Sequence, residues 1–106
     1  MAEAYADIEA PLSVVILTYL AEPDAVALHR PAHIEWLKGC YENSGLLASG
    51  RQRPPVGGVF IFRGDKGAVE AIAATDPFVL NGMARAEVTH FITTLAAPAI
   101  AAMLGE

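Results

Sequence analysis

Four short stretches of the chain have the hydrophobic pattern of β-strands. Residues 14–20 and 59–62 are apolar at odd and even positions alike and rich in β-branched or aromatic side chains, which predicts strands covered on both faces. Residues 85–94 alternate between apolar and polar side chains, as a strand with one exposed face does. Residues 46–52 are predicted to form the remaining strand, so the pattern predicts four strands in all.

Apolar side chains at helical spacing follow the first strand. Pro31 suits the opening turn of a helix, and Ile34 and Leu37 recur on one face of it. Gly45 suits the left-handed residue after the last turn. Residues 22–28, between the first strand and this helix, are predicted to form a loop.

The remaining elements complete a known order. A second helix is predicted over residues 68–75, a further short turn over residues 76–82, and a last short helix from Pro98. Strand, helix, strand, strand, helix, strand is the order of the ferredoxin-like fold, an α+β fold.

The topology predicts how the sheet is covered. Right-handed crossovers place both helices on one face of the sheet and leave the other face bare. Because the first and third strands are apolar on that face as well, a second copy of the chain packed sheet against sheet would bury it. We therefore expect a homodimer of the dimeric α+β barrel kind.

The 106 residues suffice for one domain. We assign residues 13–95 to the α+β domain, residues 1–12 to a flexible N-terminal extension and residues 96–106 to a short C-terminal helix. The N-terminus lacks the cationic start and apolar stretch of a signal peptide, and no apolar run approaches the ~18 residues of a membrane span. We therefore expect a cytoplasmic protein with no membrane partner.

Composition narrows the partners further. The chain is 54% hydrophobic with a formal charge of −5, which favours a folded domain and argues against nucleic acid as a partner. The single cysteine, Cys40, lies in an apolar helix and is predicted to be a core residue. His29 and His33 are four residues apart, but Pro31 places His29 before the helix, and no Cys or carboxylate completes a metal site. We expect neither a metal nor another cofactor.

Candidate chemistry gathers at one end of the predicted sheet. The start of the first helix with His33, the loop after the second strand with Arg51 and Arg53, and the end of the second helix with Asp76 all reach that end. Polar groups from separate segments that meet at the end of an apolar sheet are typical of a small-molecule site. A histidine beside a carboxylate is the smallest unit of general acid–base catalysis.

Both members of this pair have a structural alternative. Asp76 precedes Pro77 and therefore suits a helix N-cap, although a carboxylate has a second oxygen for another partner. His33 is equally consistent with a half-exposed residue of the first helical turn. His90, in the last strand, is expected to be a hydrogen-bonded core or interface residue.

Three motifs together resemble the YCII-related (YciI-like) family over residues 13–95: Arg30-Pro31-Ala32-His33, Leu46-Leu47-Ala48-Ser49-Gly50 and Asp76-Pro77-Phe78-Val79. The resemblance implies a dimeric α+β barrel with an active site at His33 and Asp76. One branch of the family is associated with dehydrochlorination of a chlorinated hydroxyquinol-type ring, and most members have no assigned reaction.

These observations lead to a first hypothesis, a small cofactor-independent enzyme. Asp76 would orient a neutral His33, which would take a proton from an activated carbon or hydroxyl of a small, aromatic or enolisable ligand. Arg51 or Arg53 would stabilise negative charge on oxygen, as isomerisation, elimination or dehydrochlorination requires. The residues assigned to substrate binding are Arg30, Ser49, Arg51, Arg53 and Phe78.

Two alternatives stay open. The same pocket would also suit a non-catalytic small-molecule-binding or accessory dimeric module. A cofactor-free oxygenase on the same barrel would need a deep apolar cavity.

Overall fold

The predicted strands form one antiparallel sheet in the order β2–β3–β1–β4. The structure, a computed structural model, describes residues 9–105. The strands are β1 (Ala10–Tyr19), β2 (Leu46–Arg51), β3 (Gly57–Arg63) and β4 (Ala84–Thr93). The two strands that are apolar at nearly every position, β1 and β3, pair with each other at the centre, so the sheet agrees with the predicted ferredoxin-like α+β fold.

β1 begins earlier than the pattern predicts. It starts at Ala10, and both Ala10 and Leu12 are buried, so residues 10–12 belong to the sheet instead of the predicted flexible extension. Pro11 looked like a boundary because proline cannot donate to a strand ladder, yet here it lies opposite Ile92 near the start of the strand. Residues 1–8 of that extension lie outside the described residues.

The helices are α1 (Pro23–Leu28), α2 (Arg30–Asn43), α3 (Lys66–Ala73), α4 (Pro77–Leu80) and α5 (Pro98–Leu104). The loop predicted over residues 22–28 is wrong, because most of that segment forms α1. Pro23 occupies the first turn of α1, and Val26 is only 1% exposed. A helix of six residues is too short to show a hydrophobic period, which is why the pattern did not indicate it.

The main core lies between the sheet and the helices. Alternate residues of the central strands point into it, among them Val15 and Leu17 of β1 and Phe60 and Phe62 of β3. Each such side chain contributes roughly 1.5–3 kcal/mol when it is fully buried. Cys40 belongs to the same core and is 4% exposed, as expected.

The opposite face of the sheet is partly covered by α5. Leu104 packs against Ala10 and Leu12, and the Arg63 Nη2 atom donates a hydrogen bond to the Leu104 carbonyl over 2.8 Å. The rest of this open face carries apolar side chains that are only half-buried: Val14, Ile16, Val59 and Ile61. None of the helices in the described residues is long and apolar enough to cross a membrane.

Candidate active site

His33 lies in the first turn of α2, and the preceding Pro31 pre-forms that turn. The residue is only 8% exposed, so the half-exposed alternative does not hold. Its Nδ1 atom lies 2.8 Å from Oδ1 of Asp76, which is 43 residues away in the chain. The topology therefore brings the two predicted residues into direct contact.

Asp76 is both a helix cap and the partner of His33. It is the N-cap of α4, where Oδ1 accepts the backbone N–H of Phe78 over 3.0 Å. The carboxylate is fully buried, and both of its hydrogen bonds fall on Oδ1. Oδ2 has no hydrogen-bond donor among the described residues. One oxygen thus serves the two roles that the sequence left as alternatives.

The shared oxygen determines which nitrogen of the His33 imidazole carries the proton. A carboxylate oxygen accepts hydrogen bonds, so we assign the ring proton to Nδ1 of His33, which donates it to Asp76. The second nitrogen, Nε2, then carries a lone pair. A neutral imidazole held in this way is the arrangement required of a general base.

Aromatic rings fix the plane of the imidazole. The Phe78 ring stacks on it at a centroid distance of 4.1 Å and an angle of 16°, and Trp36 lies on it at 5.9 Å and 24°. Trp36 is itself held by a hydrogen bond of 2.8 Å from its Nε1 to Thr75 Oγ1. Trp36 was not among the site residues predicted from the sequence. Its place three residues after His33 was the signal for contact.

His33 lines a cavity of about 260 Å³, the inner cavity, between α2 and the ends of β1, β2 and β3. Of the predicted site residues, Arg30, Ser49, Arg51 and Phe78 line it as well. Asp76 stands behind His33, outside the lining. The remaining walls of the inner cavity come from residues that the sequence analysis did not assign to the site: Leu17, Tyr19, Ile34, Leu37, Gly50, Gly57, Gly58 and Phe60.

Arg53 is the predicted site residue that the structure leaves out. It is exposed in the loop after β2 and does not line the inner cavity. The alternation of β2 explains the difference, because Ser49 and Arg51 point to the helix side of the sheet, whereas Arg53 lies beyond the end of the strand. Ser49 accepts or donates a hydrogen bond of 2.7 Å with the Tyr41 hydroxyl.

Two glycines bring β3 close to its neighbours at the floor of the cavity. Gly57 and Gly58 were predicted to belong to a loop, but β3 begins at Gly57. A Cβ atom on Gly57 would overlap the carbonyl oxygen of Leu17, and one on Gly58 would lie 3.1 Å from the carbonyl oxygen of Gly50. Only glycine permits the approach at position 57.

Positive charge is concentrated at the cavity. Arg30, Arg51 and Arg53 have no ion pair with any described residue, and two of them line the cavity wall. No Asp or Glu belongs to that wall. The other basic side chains have partners: Lys38 with Glu35, Lys66 with Glu70, Arg85 with Glu87, and Arg63 with the Leu104 carbonyl.

Cys40 lies in the core near the same carboxylate. Burial, and to a lesser degree the negative charge of Asp76, raises the pKa of the Cys40 thiol above its ordinary value. A thiol in this state remains protonated at neutral pH. Cys40 is therefore a core residue and not a nucleophile.

A second group of hydrogen bonds, around His90, lies at the far end of β1. Ser13 donates its hydroxyl proton to the Gly64 carbonyl over 2.9 Å, and His90 Nδ1 lies 2.9 Å from the Leu12 carbonyl and 3.2 Å from Ser13 Oγ. Because Ser13 is fully buried and its proton is used, it cannot act as a nucleophile. The prediction of a hydrogen-bonded His90 is confirmed. No group of three potential metal ligands was found among residues 9–105.

Comparison with known proteins supplies the family. The sequence profile of the YCII-related domain matches residues 12–92, most of the chain. A search of curated protein sequences gave no significant match.

Two solved structures share the fold. The 5-chloro-2-hydroxyhydroquinone dehydrochlorinase from Burkholderia phenoliruptrix, in complex with 2,5-dihydroxybenzoquinone, is 15% identical, with a TM-score of 0.59 over 74% of this chain and 90% of that one. A protein from Shewanella oneidensis is 14% identical, with a TM-score of 0.55 over 87% and 99% of the two chains. Because the family profile covers α1 to α4 and nearly all of the sheet, the chain belongs to the YCII-related domain family.

Proposed function

We propose that the protein is a small cofactor-independent enzyme in which His33 acts as a general base on a small aromatic or enolisable substrate. The observation that carries this proposal is the 2.8 Å hydrogen bond between His33 Nδ1 and a fully buried Asp76 beside a cavity. A base oriented in this way contributes about 10²–10⁴ in rate.

The proposed chemistry begins with proton transfer to Nε2 of His33. The Asp76 carboxylate stabilises the imidazolium that results, and Arg30 or Arg51 stabilises negative charge on the substrate oxygen. In an isomerisation the proton returns to a different atom. In a dehydrochlorination the electron pair of the broken C–H or O–H bond forms a new π bond as chloride leaves, so the net loss is HCl.

The dehydrochlorinase of similar fold supports the aromatic substrate class. That enzyme was solved with a dihydroxybenzoquinone, a small hydroxylated ring. The inner cavity combines an apolar floor with two arginines, which is a suitable surface for such a ring and its oxygens.

Turnover of a panel of hydroxylated and chlorinated aromatics tests the proposal. Ring absorbance and chloride release would be followed for the wild type, for His33→Ala and for His29→Ala, a nearby histidine outside the cavity. We expect His33→Ala to lose about 10²–10⁴ in rate and His29→Ala to keep the wild-type rate. Unchanged turnover in a folded His33→Ala variant would contradict the role of His33 as the general base.

A binding module is the second candidate. It is favoured by the low exposure of His33, whose ring is covered by Phe78 and Trp36 and offers little surface to a substrate. On this alternative, an aromatic ligand would bind beside His33 and be recovered unchanged after long incubation with the wild type.

We also propose that the protein works as a homodimer through the open face of the sheet. Val14, Ile16, Val59 and Ile61 form a half-buried apolar strip there, and a stable interface needs about 800 Å² from each partner. We expect a dimeric mass by light scattering for the wild type and for Ala68→Glu on the helix side. Ile16→Glu should yield a folded monomer. A wild-type monomer at micromolar concentration would contradict the proposal.

A further inference from the structure

A second cavity of about 600 Å³, the outer cavity, adjoins the inner one. Tyr19, Arg30 and Arg51 line both cavities and form the boundary between them. Tyr19 is held by an edge contact with Phe78, at 5.8 Å between ring centroids, so the boundary is tied to the ring that stacks on His33. The two cavities are therefore neighbours that share this wall.

The outer cavity is built from apolar side chains around that boundary. Its apolar lining comes from Ala21, from Pro23 and Val26 of α1, and from Pro55 and Val56 of the loop after β2. This wall exists because residues 23–28 form a helix and not a loop. A surface of this kind holds the hydrocarbon part of a ligand and gives little to a polar one.

The boundary itself is cationic. Arg30 and Arg51 have no ion pair among the described residues, and no acidic side chain lines either cavity. In a chain with a formal charge of −5, two such arginines that line both cavities indicate an anionic ligand group between them.

We propose that the two cavities form one bipartite site for an aryl-substituted carboxylate that carries an apolar chain. The carboxylate lies between Arg30 and Arg51, the ring and its acidic C–H lie in the inner cavity beside His33, and the chain lies against Pro55 and Val56. The position of the ring rests on the proposed function, whereas the anion position rests on the two arginines that line both cavities and the chain position on the outer cavity. The natural substrate is then larger than a bare hydroxylated ring.

Phenylacetate and 2-phenylhexanoate test the proposal, because they share a ring and a carboxylate and differ only in the chain. Dissociation constants would be measured by calorimetry on the wild-type protein. We expect 2-phenylhexanoate to bind at least about tenfold more tightly, since each fully buried methylene is worth about fourfold. The neutral 2-phenylhexanamide should bind at least about tenfold more weakly than the acid.

Variants separate the two parts of the site. Arg51→Gln should weaken both acids at least about tenfold, whereas Arg53→Gln, the same change in an arginine that lines neither cavity, should leave both unchanged. Val56→Ser should reduce the preference for the longer acid about threefold or more and leave phenylacetate unchanged. Amide spectra would establish that each variant is folded.

The outcomes distinguish this inference from the proposed function. Equal affinity for the two acids, equal losses in Arg51→Gln and Arg53→Gln, or no binding at all would overturn the bipartite site. Neither acid carries a leaving group, so an inactive His33 does not change these expectations. Conversely, turnover of small rings without any preference for a chain would overturn the inference and leave the general base intact.

Discussion

Oδ1 of Asp76 accepts two hydrogen bonds, one from His33 and one from the backbone of Phe78. The two bonds have different requirements. The cap needs only an acceptor oxygen, whereas a protonated imidazole needs a negative charge beside it. Substitutions at this position can therefore separate folding from catalysis.

Asp76→Asn keeps an acceptor oxygen and removes the charge. We expect it to retain most of the cap and to lose about 10²–10⁴ in kcat on any substrate that the wild type converts. Asp76→Ala should in addition lose about 1 kcal/mol of stability from the cap, and more because His33 is left buried without its partner. Parallel kinetics and thermal melts would check both, and a fully active Asp76→Asn would contradict the assigned role of the carboxylate.

Cys40 gives a pH dependence whose sign follows from its raised pKa. The unfolded thiol ionises at its ordinary pKa, while the folded thiol is still protonated, so the folded state binds more protons and loses stability as pH rises. Cys40→Ala lacks this effect. We expect the stability difference between wild type and Cys40→Ala to narrow above about pH 8.5, by at most about 1.4 kcal/mol per pH unit. Urea unfolding at several pH values measures it; a constant difference would contradict a raised thiol pKa.

At the scale of elements, α1 is the part of the fold that most changes the site. It is short, it begins at a proline, and a single side chain, Val26, fixes it to the core. Its neighbour Leu28 is 81% exposed and contributes nothing comparable. The two residues offer a matched test of whether α1 is held by burial.

Val26→Ala should lower the free energy of unfolding by about 2 kcal/mol, from lost apolar burial and the cavity left behind. Leu28→Ala should change it by less than about 0.5 kcal/mol, because an exposed side chain loses little. Chemical denaturation without ligand measures both values. Equal effects of the two substitutions would mean that α1 is not anchored through Val26.

The strands were predictable and the short elements were not, for a physical reason. β1 and β3 are marked by dense apolar, β-branched sequence, because both strands lie at the centre of the sheet with one face in the main core. α4 was visible as a short turn because Asp76-Pro77 is a strong local start signal. α1 and the first residues of β1 depend on a few tertiary contacts, which leave no periodic trace in the sequence.

At the scale of the molecule, the location of the site was predicted from the topology. Handed crossovers and strand order suffice to place His33 and Asp76 at one end of the sheet. They do not specify that one oxygen serves both donors, or that Arg51 enters the cavity while Arg53 stays outside. Those details depend on side-chain packing and on where β2 ends.

The open face also has a consequence at this scale. α5 covers part of that face near Leu12, while the strip formed by Val14, Ile16, Val59 and Ile61, and the 44% exposed Phe91 on the same face, are open to a second copy. The proposed dimer would therefore pack beside α5.

Because one carboxylate oxygen serves two partners, His33 and Asp76 differ in how readily each is replaced in evolution once the substrate is no longer present. When the histidine is lost, the aspartate still stabilises the start of α4 as its N-cap. An Asp-Pro pair would therefore persist in lineages that have lost the activity. If the aspartate is lost first, α4 loses its N-cap and the buried imidazole loses its hydrogen-bond partner, which destabilises the fold more. On the proposed mechanism, a histidine at this position, and not the Asp-Pro pair, therefore distinguishes catalytic relatives from inactive ones.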